Sequence, residues 1–393
     1  MKRRHCNLSI DNLDCKRDVH RARRTGERDS MGRETNNAPR RWLVAAGLAA
    51  ALGTFGTAAS AESFTLRIGA GHPEGPVDYV RLTGSFFVPE VEKRVAERTE
   101  HEVRFVEAYG GTLAKLPDVL EATQKGILDI GHTCFCFEPS KAFAQNLNYY
   151  TPFSTPSAVQ QLRVTRKVYD DFPRLATHFE ENYGQTMIAL TGYDNYNLGT
   201  SFEWENVEDL ASHKIGGAGP NLPWLEFTGA TVVQTSLNEM YSGVQTGIFE
   251  GMLMFPGSYN GFRFQEVAPH YKIIDIGAVM VNGMMINNDT AAKLPPEVLD
   301  IILEVAGEYE LLVAESLDEA QARGLATLES NGATVTTLAP EQRLAWAEKL
   351  AGWPNEMAQK VSAEGYDGTG IFRAYIEYLE EDGYTFPVRY EID

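Results

Sequence analysis

Phe64-Thr65-Leu66-Arg67-Ile68 reads as a strand, and it runs through a Gly/Pro turn into the amphipathic stretch Tyr79 to Glu97. That strand-then-helix unit decides the fold class, because it recurs along the chain. His101 to Glu107 alternates apolar and polar residues and stops at Gly110-Gly111. Leu116 to Gln124 is helical and Ile127 to Phe137 extended. Val159 to Asn182 is helical again, and the buried-type strand Thr186-Met187-Ile188-Ala189-Leu190 follows it. A βαβα rhythm predicts parallel sheets covered by helices. The expected class is α/β.

Further on, Ala230 to Ser236, Tyr271 to Ile276 and Ala278 to Ile286 read as strands. Pro295-Pro296 then opens a helical pattern, since proline fits the first turn of a helix. Val298, Ile301, Ile302, Val305, Tyr309, Leu312 and Val313 keep the helical period, and the pattern continues toward Glu329. One helix of that length would cross two lobes as a spine. Two helices meeting near Gly324 are the alternative.

Composition narrows the function classes. The chain has 393 residues, with 35 basic against 54 acidic side chains and a net charge of −19. That length suits two or three domains. Such acidity excludes a generic nucleic-acid binder, whose phosphate partners demand a basic surface. It also argues against docking on anionic lipid.

The charge is uneven. Residues 1–61 carry 12 basic and 6 acidic residues. Arg40-Arg41 precede the apolar run Trp42 to Ala51, and Ala59-Ser60-Ala61 supplies small residues for cleavage. This is the pattern of a secretory signal, and the run is too short and Gly-rich for a membrane span. Met31 gives a signal of ordinary length, so residues 1–30 read as an over-extended start. The mature chain is expected to begin at Glu62, outside the cytoplasm. No later segment reaches the apolar length of a membrane span.

Catalytic signatures are missing: there is no Walker A loop, no Gly-x-Gly-x-x-Gly after a strand, no His-Glu-x-x-His and no Gly-x-Ser-x-Gly. His132-Thr133-Cys134-Phe135-Cys136 is the one cluster with metal-ligand chemistry. On a strand its positions 132, 134 and 136 share a face, yet same-face neighbours lie about 6.6 Å apart. The first and last would not reach one ion without a bend. The preferred reading is a pair of small buried thiols, since a disulfide across a single residue is an unfavourable closure. Neither metal nor cofactor is expected, nor catalysis.

Leu237-Asn238-Glu239-Met240-Tyr241-Ser242-Gly243-Val244-Gln245-Thr246-Gly247-Ile248-Phe249-Glu250-Gly251 resembles the E-V-Y-x-A-L-Q-x-G-x-x-D-G segment of DctP-type periplasmic solute-binding proteins of TRAP transporters. Four weaker pieces lie in matching order. Leu120 to Ile130 is similar to L-E-A-x-x-x-G-x-I-D-M, and Val207 to Ile215 to x-x-D-L-K-G-x-K-I-R. Asn287 to Pro296 resembles N-K-x-x-W-x-x-L-P, and Gly332 to Arg343 resembles G-V-x-V-x-x-L-S-P-E-E-R. The resemblance covers nearly the whole mature chain. It implies two α/β lobes joined by hinge strands, with a long lobe-spanning helix. The first lobe would hold 62–194 and 280–319, the second 195–279 and 320–393. A small-molecule solute would bind between them, and the closed form, a monomer, would meet the small and large TRAP membrane subunits.

The chain departs from the family where relatives bind a carboxylate. The arginine of the K-I-R strand aligns with Gly216, a second basic position with Asn197, and a pocket asparagine with Met254. Polar positions of the first lobe align with Cys134 to Phe137. A buried carboxylate without an arginine leaves an uncompensated charge. Cleft-facing candidates are Phe135, Phe137, Tyr193, Tyr196, Trp224, Tyr241 and Phe255, with His72, Glu74, Asp194 and Glu239 nearby. Aromatic faces beside carboxylates suit a cation, so a small amine or quaternary ammonium such as ethanolamine or choline is the expected solute. The alternatives are an acid or sugar acid held by another anchor, such as His72, Lys115 or Arg263, and a binding protein of an ABC transporter.

Overall fold

The computed structural model describes residues 61–393, in which eleven strands form two sheets. The export signal expected over 1–61 lies, up to Ser60, outside the described residues. The first sheet has the order β2-β1-β3-β10-β4. Its strands are β1 (Ser63–Ala70), β2 (Glu102–Ala108), β3 (Ile130–Cys134), β4 (Gln185–Gly192) and β10 (Val281–Asn287). The second runs β11-β9-β5-β8-β6-β7. It comprises β5 (Tyr196–Thr200), β6 (Lys214–Gly217), β7 (Thr231–Gln234), β8 (Gly251–Met254), β9 (His270–Gly277) and β11 (Thr334–Thr337).

The class is α/β, but the sheets are mixed where parallel ones were expected. β1 is parallel to β2 and β3, while β10 is antiparallel to β3 and β4. β5 is antiparallel to β8 and β9, and the remaining pairs are parallel. The cause lies in the two crossings between sheets. β4 reaches β5, and β9 reaches β10, through three residues each. One connection leaves the first sheet and the other returns to it, so the paired strands β4/β10 and β5/β9 run in opposite directions. The four strands form an antiparallel ribbon passing from one sheet into the other.

Buried amides hold the ribbon where its register shifts. Ile274 and Asp275 donate backbone N–H groups to Asn197 Oδ1 at 2.7 and 3.0 Å, and Gly277 N–H donates to Asn195 Oδ1 at 2.9 Å. These bonds satisfy backbone groups that the irregular ladder leaves unpaired.

The proline-opened helix is a single element of 33 residues, Pro296–Leu328. No break occurs at Gly324, which lies within it. The helix serves both sheets. Glu310 pairs with Arg166 and accepts from Leu190 N–H of β4 at 2.7 Å. Gln321 Oε1 accepts from Asn195 N–H at 3.1 Å, and Thr327 Oγ1 accepts from Asn260 Nδ2 at 2.7 Å. By contrast, the helical stretch expected over Val159 to Asn182 is two helices, Ala158–Asp171 and Arg174–Tyr183, separated at Phe172-Pro173. Proline disfavours helix in the residue before it.

The C-terminal helix Gly368–Glu381 lies against Ala158–Asp171. Beyond it, the Tyr384 and Tyr390 hydroxyls donate to the carbonyls of Phe153 and Pro152 at 2.6 and 2.5 Å. Among the described residues no helix is long and apolar enough to cross a membrane.

Candidate functional site

The ends of β4 and β8 and the start of β10 converge between the two sheets, and there the chain encloses a cavity of about 20 Å³. β4 delivers Tyr193, β8 delivers Met254 and Phe255, and β10 is preceded by Met280. The loop after β1 adds His72, and the turn after β3 adds Phe137. The remaining wall is Tyr196, Ala218, Asn221, Leu237, Met240 and Leu253. Such a space holds about one water molecule. The two halves are therefore shut on one another.

Their contacts are specific. Trp224 Nε1 donates to the Tyr149 carbonyl at 3.0 Å, and Ser258 Oγ donates to the Pro76 carbonyl at 3.2 Å. The Tyr149 and Tyr196 hydroxyls lie 3.0 Å apart. Gly219, at φ +50°, lies against the Cys136 carbonyl.

Aromatic rings make the walls. Tyr193 stacks on Phe255 with centroids 4.5 Å apart and planes 13° apart. Tyr196 tilts onto the same Phe255 at 4.4 Å, and His72 stands edge-on to Tyr193 at 5.5 Å. His72 Nδ1 lies 2.8 Å from the Tyr79 hydroxyl, and burial pulls its pKa down to about 3. His132, behind it, is likewise held neutral at about 3 by burial, with Nε2 3.0 Å from Thr83 Oγ1. The buried Tyr193 hydroxyl has no hydrogen-bond partner among the described residues. No Lys, Arg, Asp or Glu lines this cavity. Its chemistry is aromatic, thioether and amide.

Of the sequence candidates, His72, Phe137, Tyr193, Tyr196, Met254 and Phe255 come together on the wall. The others stand elsewhere, each for a physical reason. Phe135 turns into the first sheet's core, stacked on Phe179 at 5.3 Å. Asn197 is spent on the ribbon backbone. Trp224 is fully buried one layer back, stacked on Tyr149 at 5.7 Å and edge-on to Tyr196 at 5.5 Å. The Tyr241 hydroxyl donates to Glu266 at 2.8 Å.

The three expected carboxylates do not line the cavity. Glu74 is exposed. Glu239 is exposed and accepts from Ser236 Oγ at 2.8 Å, at the start of the helix Leu237–Gln245. Asp194 is buried in the crossing but accepts from Gly257 N–H at 2.8 Å, and burial pushes its pKa up to about 8. The alternative anchors Lys115 and Arg263 are also off the wall, and Arg263 pairs with Glu266.

Two further readings change. A Cβ on Gly216 would meet Phe249 at 3.0 Å and Thr235 at 3.1 Å, inside the second half. The neighbouring direction, at Gly217, meets Asn221 Oδ1 at 2.5 Å, and Asn221 belongs to the cavity wall. Strand alternation puts consecutive residues on opposite faces. Cys134 and Cys136 form a disulfide, where two free thiols were expected. β3 ends at Cys134 and the chain turns through Phe135–Phe137, so 132, 134 and 136 share no strand face. Among the described residues no group of three His, Cys, Asp or Glu side chains could hold a metal ion.

Leu237, Met240, Asn221 and Met280 were not legible as wall residues. Leu237 and Met240 carry the three-residue spacing of any core-facing helix stripe, which does not distinguish a cleft from a core.

Residues 86–360 match the model of the bacterial extracellular solute-binding protein family 7, DctP. The chain belongs to that family. A solute-binding protein of Albidiferax ferrireducens is 28% identical to this DctP-type chain over 144 residues, 36% of this chain and 43% of that protein. The match thus spans less than half the relative's length. The ectoine-binding periplasmic protein TeaA of Halomonas elongata is 22% identical over 312 residues, 73% of this chain and 84% of TeaA. Among solved structures, a TRAP solute-binding protein of Rhodoferax ferrireducens in complex with copurified benzoate superposes with a TM-score of 0.71 at 16% identity. It covers 81% of this chain and 98% of that one. The shared fold is the two-lobed one. Family and fold are those of solute-binding proteins, not of enzymes.

Proposed function

We propose that this DctP-type protein works in the periplasm, capturing a small organic solute between its halves and delivering it to the small and large membrane subunits of a TRAP transporter. Residues 62–194 with 280–319 act as one lobe and 195–279 with 320–393 as the other, although the last helix leans on the first lobe. The lobes pivot on the β4–β5 and β9–β10 ribbon. Solute stabilises the closed form because groups from both lobes reach it only when the lobes are shut.

The solute we propose is a small amine or quaternary ammonium of the ethanolamine or choline kind. One observation carries this reading: the space between the halves, which has to widen from its present one-water volume to admit a solute, is walled by Tyr193, Tyr196, Phe255, Phe137 and His72 and presents no cationic side chain. Each good cation–π contact contributes about 0.5–2 kcal/mol. An acid in the same place would lack a guanidinium or ammonium partner, and both buried histidines are neutral. A favourable counter-charge for the cation would come from Asp194, the next residue after Tyr193, once ionised.

Calorimetry with ethanolamine, choline, succinate and a sugar acid tests this. Saturable binding of the ammonium compounds alone is the expected result. Binding of the acids alone replaces the cation with an acid solute and leaves the carrier role standing.

A further inference from the structure

A second concavity lies away from the interlobe cavity, in the second sheet. β5 has Tyr196 at the cavity end, and at its other end Thr200 pairs with His270 of β9. There the loop after β5 leaves a groove of about 500 Å³ over the faces of β9 and β11, within the usual range for small-molecule sites.

The residue that makes the groove unusual is Lys272. Only 8% of it is exposed, its ammonium sits over the Trp204 ring 5.2 Å from the ring centre, and burial lowers its pKa. Lysine is almost never buried this far without a partner. Among the described residues its ammonium has the Trp204 ring as its neighbour but no ion pair or hydrogen bond, and it opens on the groove. Glu205 and Asp209 act on it only at longer range. Asp209 is already engaged, accepting from the N–H groups of Glu205 and Asn206 at 3.0 and 2.8 Å.

Glu203 and Glu205 stand on the rim, exposed and without ion-pair partners among the described residues. The exposed Thr336 borders the same space. The charges sort possible ligands. A bare anion facing Lys272 would also face three carboxylates. A bare cation attracted to the rim would leave the lysine unanswered. Only a molecule carrying both charges answers both.

We propose that this groove is a second binding site, for a small zwitterion that sets its carboxylate on Lys272 and its ammonium between Glu203 and Glu205. The Trp204 ring holds the anchoring ammonium in place by a cation–π contact, and a threonine hydroxyl offers the carboxylate a second donor. The site is independent of the solute in the main cleft.

Glycine is the probe, with acetate and methylammonium as its separate halves. Crystals of the mature protein soaked in glycine should show it in the groove with its carboxylate at Lys272. Titration should show glycine binding that Lys272→Met weakens at least about tenfold, while Glu203→Gln/Glu205→Gln weakens glycine but not acetate. Lys272→Met removes a buried cation that has no ion pair or hydrogen bond, so its melting temperature should be unchanged or higher. Glycine density confined to the main cleft, affinity unmoved by Lys272→Met, or acetate binding as well as glycine would each overturn the proposal.

Discussion

The carbonyl oxygen of Cys136 occupies the place where a side chain at position 219 would begin: a Cβ built on Gly219 would come within 2.4 Å of it. The two residues belong to opposite halves of the cleft, so this is a closure contact with no room for one carbon. Position 219 also has φ +50°, which costs a non-glycine residue about 1–2 kcal/mol. Gly219→Ala is therefore expected to shift the protein toward an open form. Small-angle scattering without added solute should give a larger radius of gyration for the variant. An unchanged radius would mean that the contact does not govern closure.

A second close approach sits on the long helix. A Cβ on Gly324 would lie 2.2 Å from the Pro256 carbonyl. Alanine is favoured over glycine in a helix interior by about 1 kcal/mol, so propensity alone predicts that Gly324→Ala stabilises. Overpacking costs about 1–3 kcal/mol and acts here against backbone, which cannot step aside. The net expectation is a lower denaturant midpoint for the variant. A higher midpoint would show that Pro256 and its short helix give way.

Much of the frame was legible because periodicity and punctuation are local properties. Phe64 to Ile68 and Thr186 to Leu190 announced strands, and Pro295-Pro296 announced the spine. The antiparallel ribbon was not legible, since the three residues between β4 and β5 look like any turn until both sheets are known. The cleft was legible in part. Tyr193 and Phe255 stand out as aromatics beside expected strand ends, and both reach the wall. Trp224 carried the same signal and is buried a layer back, because its indole N–H is spent on the Tyr149 carbonyl. The carboxylates were not legible in their placement: Asp194 accepts from Gly257 N–H and Glu239 from Ser236 Oγ, donors that only the folded chain brings to them, and Glu74 is exposed.

Two buried neutral histidines make the fold acid-sensitive. His72 and His132 have pKa values pulled down to about 3 by burial, against about 6.5 when unfolded. The folded state thus binds fewer protons, so their contribution is fully present above about pH 6.5 and is lost as pH falls toward 3. Melting temperature should drop steadily below pH 6.5. His132→Asn should flatten that slope even if it lowers the plateau. A slope unchanged by the substitution would assign acid sensitivity to other groups.

Asp194 acts in the opposite direction. Burial, with the carboxylates of Asp78 and Asp318 adding to it, pushes its pKa up to about 8, against about 3.9 when unfolded. Here the folded state holds a proton that the unfolded chain releases, so stability is fully present below about pH 4 and is lost as pH rises through 8. Between about pH 4 and 6.5 the two histidines outweigh this single group. Above 6.5 only Asp194 still titrates, which places the maximum for the three near pH 6.5. Asp194→Asn keeps an oxygen to accept from Gly257 N–H and removes the titration. The variant should therefore lose less stability than the parent between pH 6.5 and 9. A cation beside Tyr193 would favour the ionised carboxylate, so binding of an ammonium solute at pH 7 should release protons. That release shows in calorimetry as a heat that depends on the buffer's ionisation enthalpy, and it should vanish in Asp194→Asn. Buffer-independent heat in the parent would separate Asp194 from the solute altogether.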